Sequence, residues 1–194
     1  MENLSPEYRV IVDLVRPNST VLDLGCGNGR LLCLLKQEKE VKGQGIEISL
    51  EKISECVHQG VNVLHGDLDN GLAEYPDKSF DYVILNNSIP ELRSPRIAIK
   101  EGLRVGRELI VGFPNFAHWR ARCQLGLFGR VPVTDSLPHQ WFDTPNRHFL
   151  SINDFVAFCR SERIRVNSSI HLCGRRRVRF APNLLADYAL FLLN

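Results

Sequence analysis

The stretch Val21-Leu-Asp-Leu-Gly-Cys-Gly-Asn-Gly29 decides the fold class of this chain. An apolar run ends in three glycines at alternate positions, and a leucine-rich segment with helical periodicity, 30–36, follows directly. A strand that enters a helix through so tight a turn needs residues without a Cβ atom, both for positive φ and for close approach of a ligand. The pattern therefore predicts a ligand site at the carboxyl end of the first strand of an α/β sheet, although a purely structural turn uses the same residues.

The spacing of the glycines distinguishes between two classes of ligand. A dinucleotide-binding turn has the pattern G-x-G-x-x-G, and its third glycine would stand where this chain has Arg30. The chain instead has Asp23-x-Gly25-x-Gly27-x-Gly29, the pattern of S-adenosylmethionine (SAM) binding in class I methyltransferase folds. SAM has no pyrophosphate for a helix N-terminus to bind. We therefore expect the turn to lie against the ribose and the amino-acid moiety, with Asp23 near the ammonium group.

Polar residues also follow three further predicted strands. Glu47 can accept hydrogen bonds from both ribose hydroxyls, and Asp67 can accept one from the adenine amino group, with the backbone of Leu68 at the ring edge. A solvated charge at Glu47 and a simple turn at Asp67 are the alternatives, and Asp69 is a weaker candidate than Asp67. The predicted ligand contacts are Asp23, Gly25, Cys26, Gly27, Gly29, Glu47, Ile48, Asp67, Leu68 and Asn86.

The order of apolar runs predicts the fold. From Tyr8 to about Ile110, short apolar runs alternate with helical patterns, which is typical of a parallel α/β sheet. Strands are predicted at 20–24, 43–48, 61–64, 80–85 and 107–113, and an antiparallel pair at 163–172 and 184–193. Helices are predicted after Ser49, from Ser94-Pro95 and from Ser151. We expect one Rossmann-like class I methyltransferase domain over 1–194, with a mostly parallel seven-stranded sheet, an antiparallel terminal strand and helices on both faces.

The segment 114–147 departs from this periodicity. It contains prolines and a large share of the aromatic side chains, Phe116, Trp119, Phe128, Trp141 and Phe142. A long segment without regular structure inside a compact domain is usually functional. We predict an irregular insertion that forms a partner surface, because tryptophan and arginine often carry interface energy. The alternative is that these rings close the core beneath the fifth strand.

Composition excludes several function classes. A net charge of +2 indicates no nucleic-acid partner, and the basic run Arg175–Arg177 with Arg179 is more typical of a solvated loop than of an anion or partner site. The six cysteines include no C-x-x-C pair, so neither a metal site nor a disulfide framework is predicted. Reduced cysteines, no apolar signal segment and no long apolar span indicate a cytoplasmic protein without a membrane anchor.

Two segments are specific enough to indicate a family. Phe113-Pro-Asn-Phe-Ala-His-Trp-Arg120 and Trp141-Phe-Asp-Thr-Pro-Asn-Arg-His148, together with Pro132-Val-Thr-Asp135, resemble the methionine-biosynthesis protein MetW family, and the similarity covers nearly the whole chain. The resemblance implies a methyltransferase-like fold that binds SAM or S-adenosylhomocysteine, and a role with a MetX-type homoserine O-acyltransferase in making methionine. The proline within Asn86-Asn-Ser-Ile-Pro-Glu91 is a departure, because a helix would be expected to begin smoothly there.

The sequence leaves catalysis by this chain open. Methyl transfer needs little beyond SAM and an aligned nucleophile, so a missing catalytic motif does not argue against activity. Candidate general bases are His118, His139 and His148, each of which is more often a hydrogen-bonded loop residue. An accessory subunit of the acyltransferase and a small-molecule methyltransferase are the main hypotheses, and the charge makes a nucleic-acid methyltransferase the weakest. Self-association into a homodimer is also left open.

Overall fold

The structure, a computed structural model, describes residues 5–194 and forms one eight-stranded sheet of order β3-β2-β1-β4-β5-β8-β6-β7. The strands are β1 (Thr20–Leu24), β2 (Lys42–Glu47), β3 (Val63–His65), β4 (Phe80–Asn86), β5 (Gly106–Pro114), β6 (Val166–Cys173), β7 (Arg176–Arg177) and β8 (Tyr188–Leu193). The helices are α1 (Pro6–Leu14), α2 (Arg30–Lys39), α3 (Leu50–His58), α4 (Pro95–Val105), α5 (Trp119–Phe128), α6 (Ile152–Ser161) and α7 (Pro182–Leu185), with a 3-10 helix at Leu68–Asn70.

The strand pairing places the carboxyl ends of the first strands at one edge of the sheet. Strands β1 to β5 pair in parallel, and β8 runs antiparallel to both β5 and β6. The order reverses between β1 and β4, which is the point where open α/β sheets bind ligands. The Rossmann-like prediction, with its antiparallel terminal strand, is confirmed, and the two-residue β7 adds an eighth strand.

The core lies in two layers, because successive residues of a strand point to opposite faces of the sheet. On one face, Val21, Ile84 and Ile110 pack with the apolar residues of α1, α2 and α3. On the other, Leu22 and Val83 belong to the cluster that packs on α4 and α6. The predicted arrangement, with helices on both faces, is therefore the observed one. The central strand β4 is buried on both sides, which explains its nearly continuous apolar run.

Two predictions about the later part of the chain are wrong in detail. Residues 119–128 of the predicted irregular insertion form α5, which Gly129 ends in the left-handed region at φ +60°. Only Ala121 of this helix is buried, so the helix has no apolar stripe to reveal it in the sequence. The strand predicted over 184–193 begins at Tyr188, because Pro182 starts the short helix α7 before it.

Asn115 holds the segment after β5 to the end of the chain. Its side chain is fully buried, and its Nδ2 donates to the carbonyls of Ala186 (2.7 Å) and Asn183 (3.2 Å). Its Oδ1 accepts from the backbone N–H groups of Ala117 (3.2 Å) and Ile152 (3.3 Å). A buried polar side chain is tolerated only when it is hydrogen-bonded in this way. The specific Phe-Pro-Asn-Phe segment thus contains a structural hydrogen-bonding centre.

Candidate functional site

A cavity of about 310 Å³ opens at the carboxyl edge of β1, β2 and β4. Eight of the ten predicted ligand contacts line it: Gly25, Cys26, Gly27, Glu47, Ile48, Asp67, Leu68 and Asn86. Further lining residues that the sequence did not single out include Tyr8, Lys52, Asn87, Ser88, Glu91 and Leu92. Residues from five separate stretches of the chain therefore meet at one site, as the parallel strand order requires.

The glycine turn presents bare backbone to this cavity. Gly27 has φ +57°, and a Cβ atom built on it would meet nothing within 4 Å, because that side of the residue faces the open cavity. Gly25 has φ +76°, and its Cβ would lie 2.5 Å from Oγ of Ser88. That hydroxyl donates to the carbonyl of Leu24 at 2.7 Å, so Gly25 is required for packing and Gly27 leaves space for a ligand.

The two predicted contacts that do not line the cavity have other positions. Gly29 is the N-cap of α2 at φ +79°, and its Cβ would lie 3.0 Å from Cys56 and Val61. Asp23 is 3% exposed and lies beneath the glycine turn. Among the described residues, no side chain or backbone group donates a hydrogen bond to the Asp23 carboxylate.

Burial raises the pKa of Asp23 to about 7, and the negative charge of Glu47 adds to the shift. The neutral form of this carboxyl group is therefore favoured more than in an exposed aspartate, because a buried charge is costly. Burial also raises the pKa of Tyr8, at the cavity wall, to about 12, with Asp23 as a further cause. A cation placed near Asp23 would favour its charged form and lower its pKa.

Glu47 already makes three hydrogen bonds to backbone amides. Its Oε2 accepts from Gly27 N, and its Oε1 accepts from Ile48 N and Ser49 N, each at 2.9 Å. The 5% exposed carboxylate thus fastens the glycine turn to the start of α3, and this internal role was missed in the sequence. A carboxylate offers about four acceptor positions, so roughly one remains for a ligand hydroxyl.

Both acids after β3 line the cavity, and both also accept hydrogen bonds from backbone amides. Asp67 lines the cavity, and its Oδ1 also accepts from Asp69 N at 3.0 Å, so the turn and ligand interpretations are compatible. Asp69 accepts from Ser94 N at 2.8 Å and from Arg93 N at 3.1 Å. Its main role in the structure is to hold the connection between β4 and α4.

The floor of the cavity is formed by the connection after β4. Asn86 and Asn87 each lie within hydrogen-bond distance of the Tyr188 hydroxyl, at 2.9 and 2.8 Å. A hydroxyl has one hydrogen, so it is shared between the two amide oxygens or donated to one of them at a time. Asn87 has φ +64°, and Pro90 lies in a turn closed by the bond from Glu91 N to Ser88 O. The helix begins later, at Pro95, as the Ser94-Pro95 pattern predicted.

The three candidate bases do not line the cavity. His118 is 5% exposed at the N-cap of α5, its Nε2 has no partner among the described residues, and burial lowers its pKa. His139 and His148 are exposed in the segment after α5. The geometry of the described residues therefore supplies no histidine base at the cavity.

A second feature lies outside the cavity, on α5 and the segment that follows it. Its large apolar side chains are exposed, and we call them the aromatic surface: Trp119, Leu125, Leu127, Phe128, Val131, Trp141, Phe142 and Phe149. Trp141 and Trp119 are 72% and 45% exposed, so neither tryptophan closes the core. Phe116 differs from them, because its ring is partly buried against Phe149 with centroids 4.8 Å apart.

Residues 5–194 lack two features, a helix fit to span a membrane and a cluster of metal-ligand side chains. No helix in this range is long and apolar enough to cross a membrane. The same residues contain no group of three or more His, Cys, Asp or Glu side chains that could hold a metal ion.

The similarity to known proteins extends over most of the chain. The family model described as methionine biosynthesis protein MetW matches residues 5–193. The bifunctional methionine biosynthesis protein MetXA/MetW of Rhodopirellula baltica is 35% identical over 160 residues, which cover 78% of this chain and 26% of that relative. The 2-methyl-6-phytyl-1,4-hydroquinone methyltransferase of Synechocystis is 32% identical over 154 residues, which cover 75% of this chain and 46% of that relative.

The fold is shared with solved structures at low sequence identity. A SAM-dependent methyltransferase from Archaeoglobus fulgidus superimposes with a TM-score of 0.70 at 15% identity, over 96% of this chain and 90% of that one. The chain spans about a quarter of the first curated relative and less than half of the second. On the match to its family model over nearly its whole length, the chain belongs to the methionine biosynthesis protein MetW family and has the fold of class I SAM-dependent methyltransferases.

Proposed function

We propose that this protein binds SAM or S-adenosylhomocysteine in the cavity and acts as an accessory subunit of a homoserine O-acyltransferase in methionine biosynthesis. The observation that carries the proposal is the cavity itself, in which the open side of Gly27 and the carboxylates of Glu47 and Asp67 come together. The family membership supports the pathway.

The charge of the cavity suits this ligand. Glu47, Asp67, Asp69 and Glu91 line it against a single lysine, Lys52. SAM carries a sulfonium and an ammonium group against one carboxylate, so its net charge is positive. An acidic, partly desolvated cleft attracts such a cation more strongly than bulk water does. S-adenosylhomocysteine lacks the sulfonium charge, so the same cavity would hold it with less electrostatic attraction.

Each part of the ligand has a candidate partner among these residues. Asp23 would ionise opposite the ammonium group, and the backbone of Gly27 would lie against the amino-acid and ribose portion. Glu47 would accept a ribose hydroxyl in the position left by its three backbone bonds. Asp67 would accept from the adenine amino group, with Leu68 at the ring edge.

The partner is suggested by the fused relative. The Rhodopirellula protein is named as both MetXA and MetW, and the similarity to this chain covers only 26% of its length. Fusion keeps two cooperating domains at a high effective concentration. We therefore expect this protein to assemble with a MetX-type homoserine O-acyltransferase and to raise its activity.

The test of ligand binding compares two glycine variants. Gly27→Val places a branched Cβ in the cavity and should abolish SAM and S-adenosylhomocysteine binding measured by calorimetry. Gly60→Val is the matched control, because Gly60 has φ +69° and also has nothing within 4 Å of its Cβ, but lies outside the cavity. Equal losses in both variants would indicate backbone strain alone. Absence of binding to the unmodified protein would refute the ligand proposal.

The test of the accessory role is the acyltransferase rate. We expect the purified homoserine O-acyltransferase to acylate homoserine faster when this protein is added together with SAM or S-adenosylhomocysteine. An unchanged rate over a range of protein concentrations, with no complex on size-exclusion chromatography, would contradict it.

A small-molecule methyltransferase is the second candidate function. The 32% identity to a named methyltransferase from Synechocystis favours it, although that similarity covers less than half of the relative. No histidine among the described residues lines the cavity, so such an enzyme would depend mainly on alignment of its acceptor. Release of S-adenosylhomocysteine from SAM on incubation with a metabolite extract would support this alternative.

A further inference from the structure

The aromatic surface exposes an unusually large number of apolar side chains for a segment in contact with water. Trp141 and Phe142 are in edge-to-face contact, with ring centroids 5.6 Å apart, yet they are 72% and 70% exposed. On α5, Leu127 and Phe128 are equally open to solvent. Large groups of exposed apolar side chains on soluble proteins usually mark an interaction site. Aromatic anchors also lose little rotamer entropy when they are covered.

The surface is held to the rest of the protein by local contacts. The side-chain amide of Gln124 on α5 donates to Val133 O at 2.8 Å and accepts from Val133 N at 2.9 Å. Arg120 lies 3.6 Å from Asp135 and over the ring of Trp119. These contacts keep Val133 and Asp135 against α5, and Trp141 and Phe142 follow a few residues later in the chain.

Cations accompany the apolar side chains. Arg130 and Arg147 belong to the same segment, and neither side chain is in an ion pair with a described residue. Apolar anchors with arginines beside them are typical of protein interfaces, and they call for an apolar patch flanked by carboxylates on the other side. The chemistry therefore fits a folded protein partner.

The fused relative indicates which protein this partner is. About three quarters of the Rhodopirellula chain lies outside its similarity to this protein, and its name assigns MetXA as its other part. A surface that holds the MetXA and MetW parts together would have exposed apolar side chains of this kind when it is described without MetXA. The occupant we choose for the aromatic surface is therefore the homoserine O-acyltransferase.

A pair of hydrogen bonds connects this surface to the cavity. The carbonyl of Pro90 accepts from Arg147 N at 2.7 Å and from His148 N at 3.0 Å. Pro90 lies between Ser88 and Glu91, which line the cavity. The next residue after Arg147 and His148 is Phe149, and its ring packs on the ring of Phe116. The connection that floors the cavity thus also anchors the segment that carries Trp141 and Phe142.

We propose that the aromatic surface is the docking site for the homoserine O-acyltransferase, and that docking and ligand binding in the cavity strengthen each other through the contacts at Pro90. The inference rests on the proposed function and adds to it the place of docking and its dependence on the ligand. A ligand that contacts Ser88 and Glu91 also restrains Pro90 between them, and through its carbonyl the backbone of Arg147 and His148. Coupling of this kind is reciprocal, so the acyltransferase must tighten ligand binding by the same factor.

The docking site is tested by calorimetric titration of the full chain with the acyltransferase. Trp141→Ala and Phe142→Ala should each weaken docking by about tenfold or more, as expected for aromatic anchors at an interface. Their affinity for S-adenosylhomocysteine without the partner and their thermal midpoints should stay unchanged, because both rings are exposed. Phe180→Ala is the matched control, since Phe180 is also exposed but lies outside the surface.

The coupling is tested in the same titration with and without saturating S-adenosylhomocysteine. We expect the ligand to tighten docking by about fivefold or more. His148→Pro removes one amide donor to Pro90 and should reduce this factor while both binding reactions persist. His139→Pro is its control, because the amide of His139 makes no hydrogen bond to a described residue.

The outcomes separate the inference from the proposed function. If the unmodified protein shows no docking and no effect on acylation, the proposed function itself fails. If it docks but Trp141→Ala and Phe142→Ala dock equally well, or lose thermal stability, the surface has been assigned wrongly. Docking that is indifferent to the ligand overturns the coupling. A dimer of this chain that Trp141→Ala dissociates, with docking unchanged, would assign the surface to a second copy.

Discussion

The cavity and the aromatic surface differ in what their side chains contact. Carboxylates at the cavity are hydrogen-bonded within the protein, whereas the large side chains of the aromatic surface are exposed to solvent. At the cavity, Glu47 and Asp69 are already bonded to backbone amides, so the site is ordered before a ligand arrives. At the aromatic surface, the large apolar side chains of α5 and the segment after it are exposed, and the nearby buried polar residue Asn115 lies before α5 in the chain. The cavity is therefore stabilised by hydrogen bonds within the protein. The aromatic surface would bury its apolar side chains only when a partner covers them.

Asn115→Ala tests whether the surface depends on this nearby buried residue, and we expect it to have the largest effect. The change leaves two carbonyls and two amides without their partner, which should cost about 3–5 kcal/mol of unfolding free energy. Chemical denaturation measures the loss. Asn153→Ala is the control, because Asn153 is exposed on α6. Equal stability of the two variants would contradict the role of Asn115.

Glu47→Ala tests the internal order of the cavity. Gly27, Ile48 and Ser49 each lose an acceptor, and some of their amides can turn to water, so we expect a loss of about 2–3 kcal/mol in unfolding free energy. Affinity for SAM should fall as well, because a ribose contact disappears. Glu47→Gln keeps acceptor oxygen and should lose about half as much stability. An unchanged stability in Glu47→Ala would show that the cavity is not held by this carboxylate.

The pH dependence of SAM affinity tests the charge of Asp23. The pKa in the empty protein is about 7, and a cationic ligand lowers it, so binding releases a proton when the pH is below 7. Affinity should therefore fall by up to about tenfold for each pH unit below 7 and level off above it. Tyr8 and Cys26 stay neutral in this range because burial raises the pKa of both. Asp23→Asn should remove the dependence, and a pH slope that survives in this variant would assign it to another group.

The smallest effect is expected at His139. The residue is exposed and does not line the cavity, so His139→Ala should change stability by less than about 0.5 kcal/mol and leave SAM affinity unchanged. Calorimetry and thermal unfolding check both values. A loss of SAM affinity in His139→Ala would contradict the conclusion that the segment after α5 lies apart from the cavity.

The sequence predicted the sheet and eight of the residues that line the cavity, because both depend on short patterns. Alternating apolar runs mark β1 to β5, and the glycine spacing marks the turn. Helix α5 was not predicted, because Ala121 is its only buried residue. A helix without an apolar stripe shows no helical periodicity in the sequence. The side-chain hydrogen bonds of Asn115 were not predicted for another reason. Its partners Ile152 and Ala186 are 37 and 71 residues away, and no local pattern encodes such a contact.

The same limit applies within the cavity. That Glu47 faces the glycine turn follows from its place at the end of β2, but its bond to Gly27 depends on how closely two loops approach. Asp69 stood in the sequence as a weaker ligand candidate, and its two bonds to the chain before α4 depend on where that connection runs. Both are properties of the assembled sheet.

The position of β8 has a consequence for how this protein behaves in a crowded solution. Because β8 lies between β5 and β6, the outermost strands of the sheet are β3 and β7, with three and two residues. A short edge exposes few unpaired backbone groups to which a strand from another molecule can add. The basic run Arg175–Arg177, which the sequence favoured as a solvated loop, contains both residues of the shorter strand, β7. Charged side chains on a short edge strand are one way in which proteins discourage edge-to-edge pairing, so we expect little aggregation at this end of the sheet.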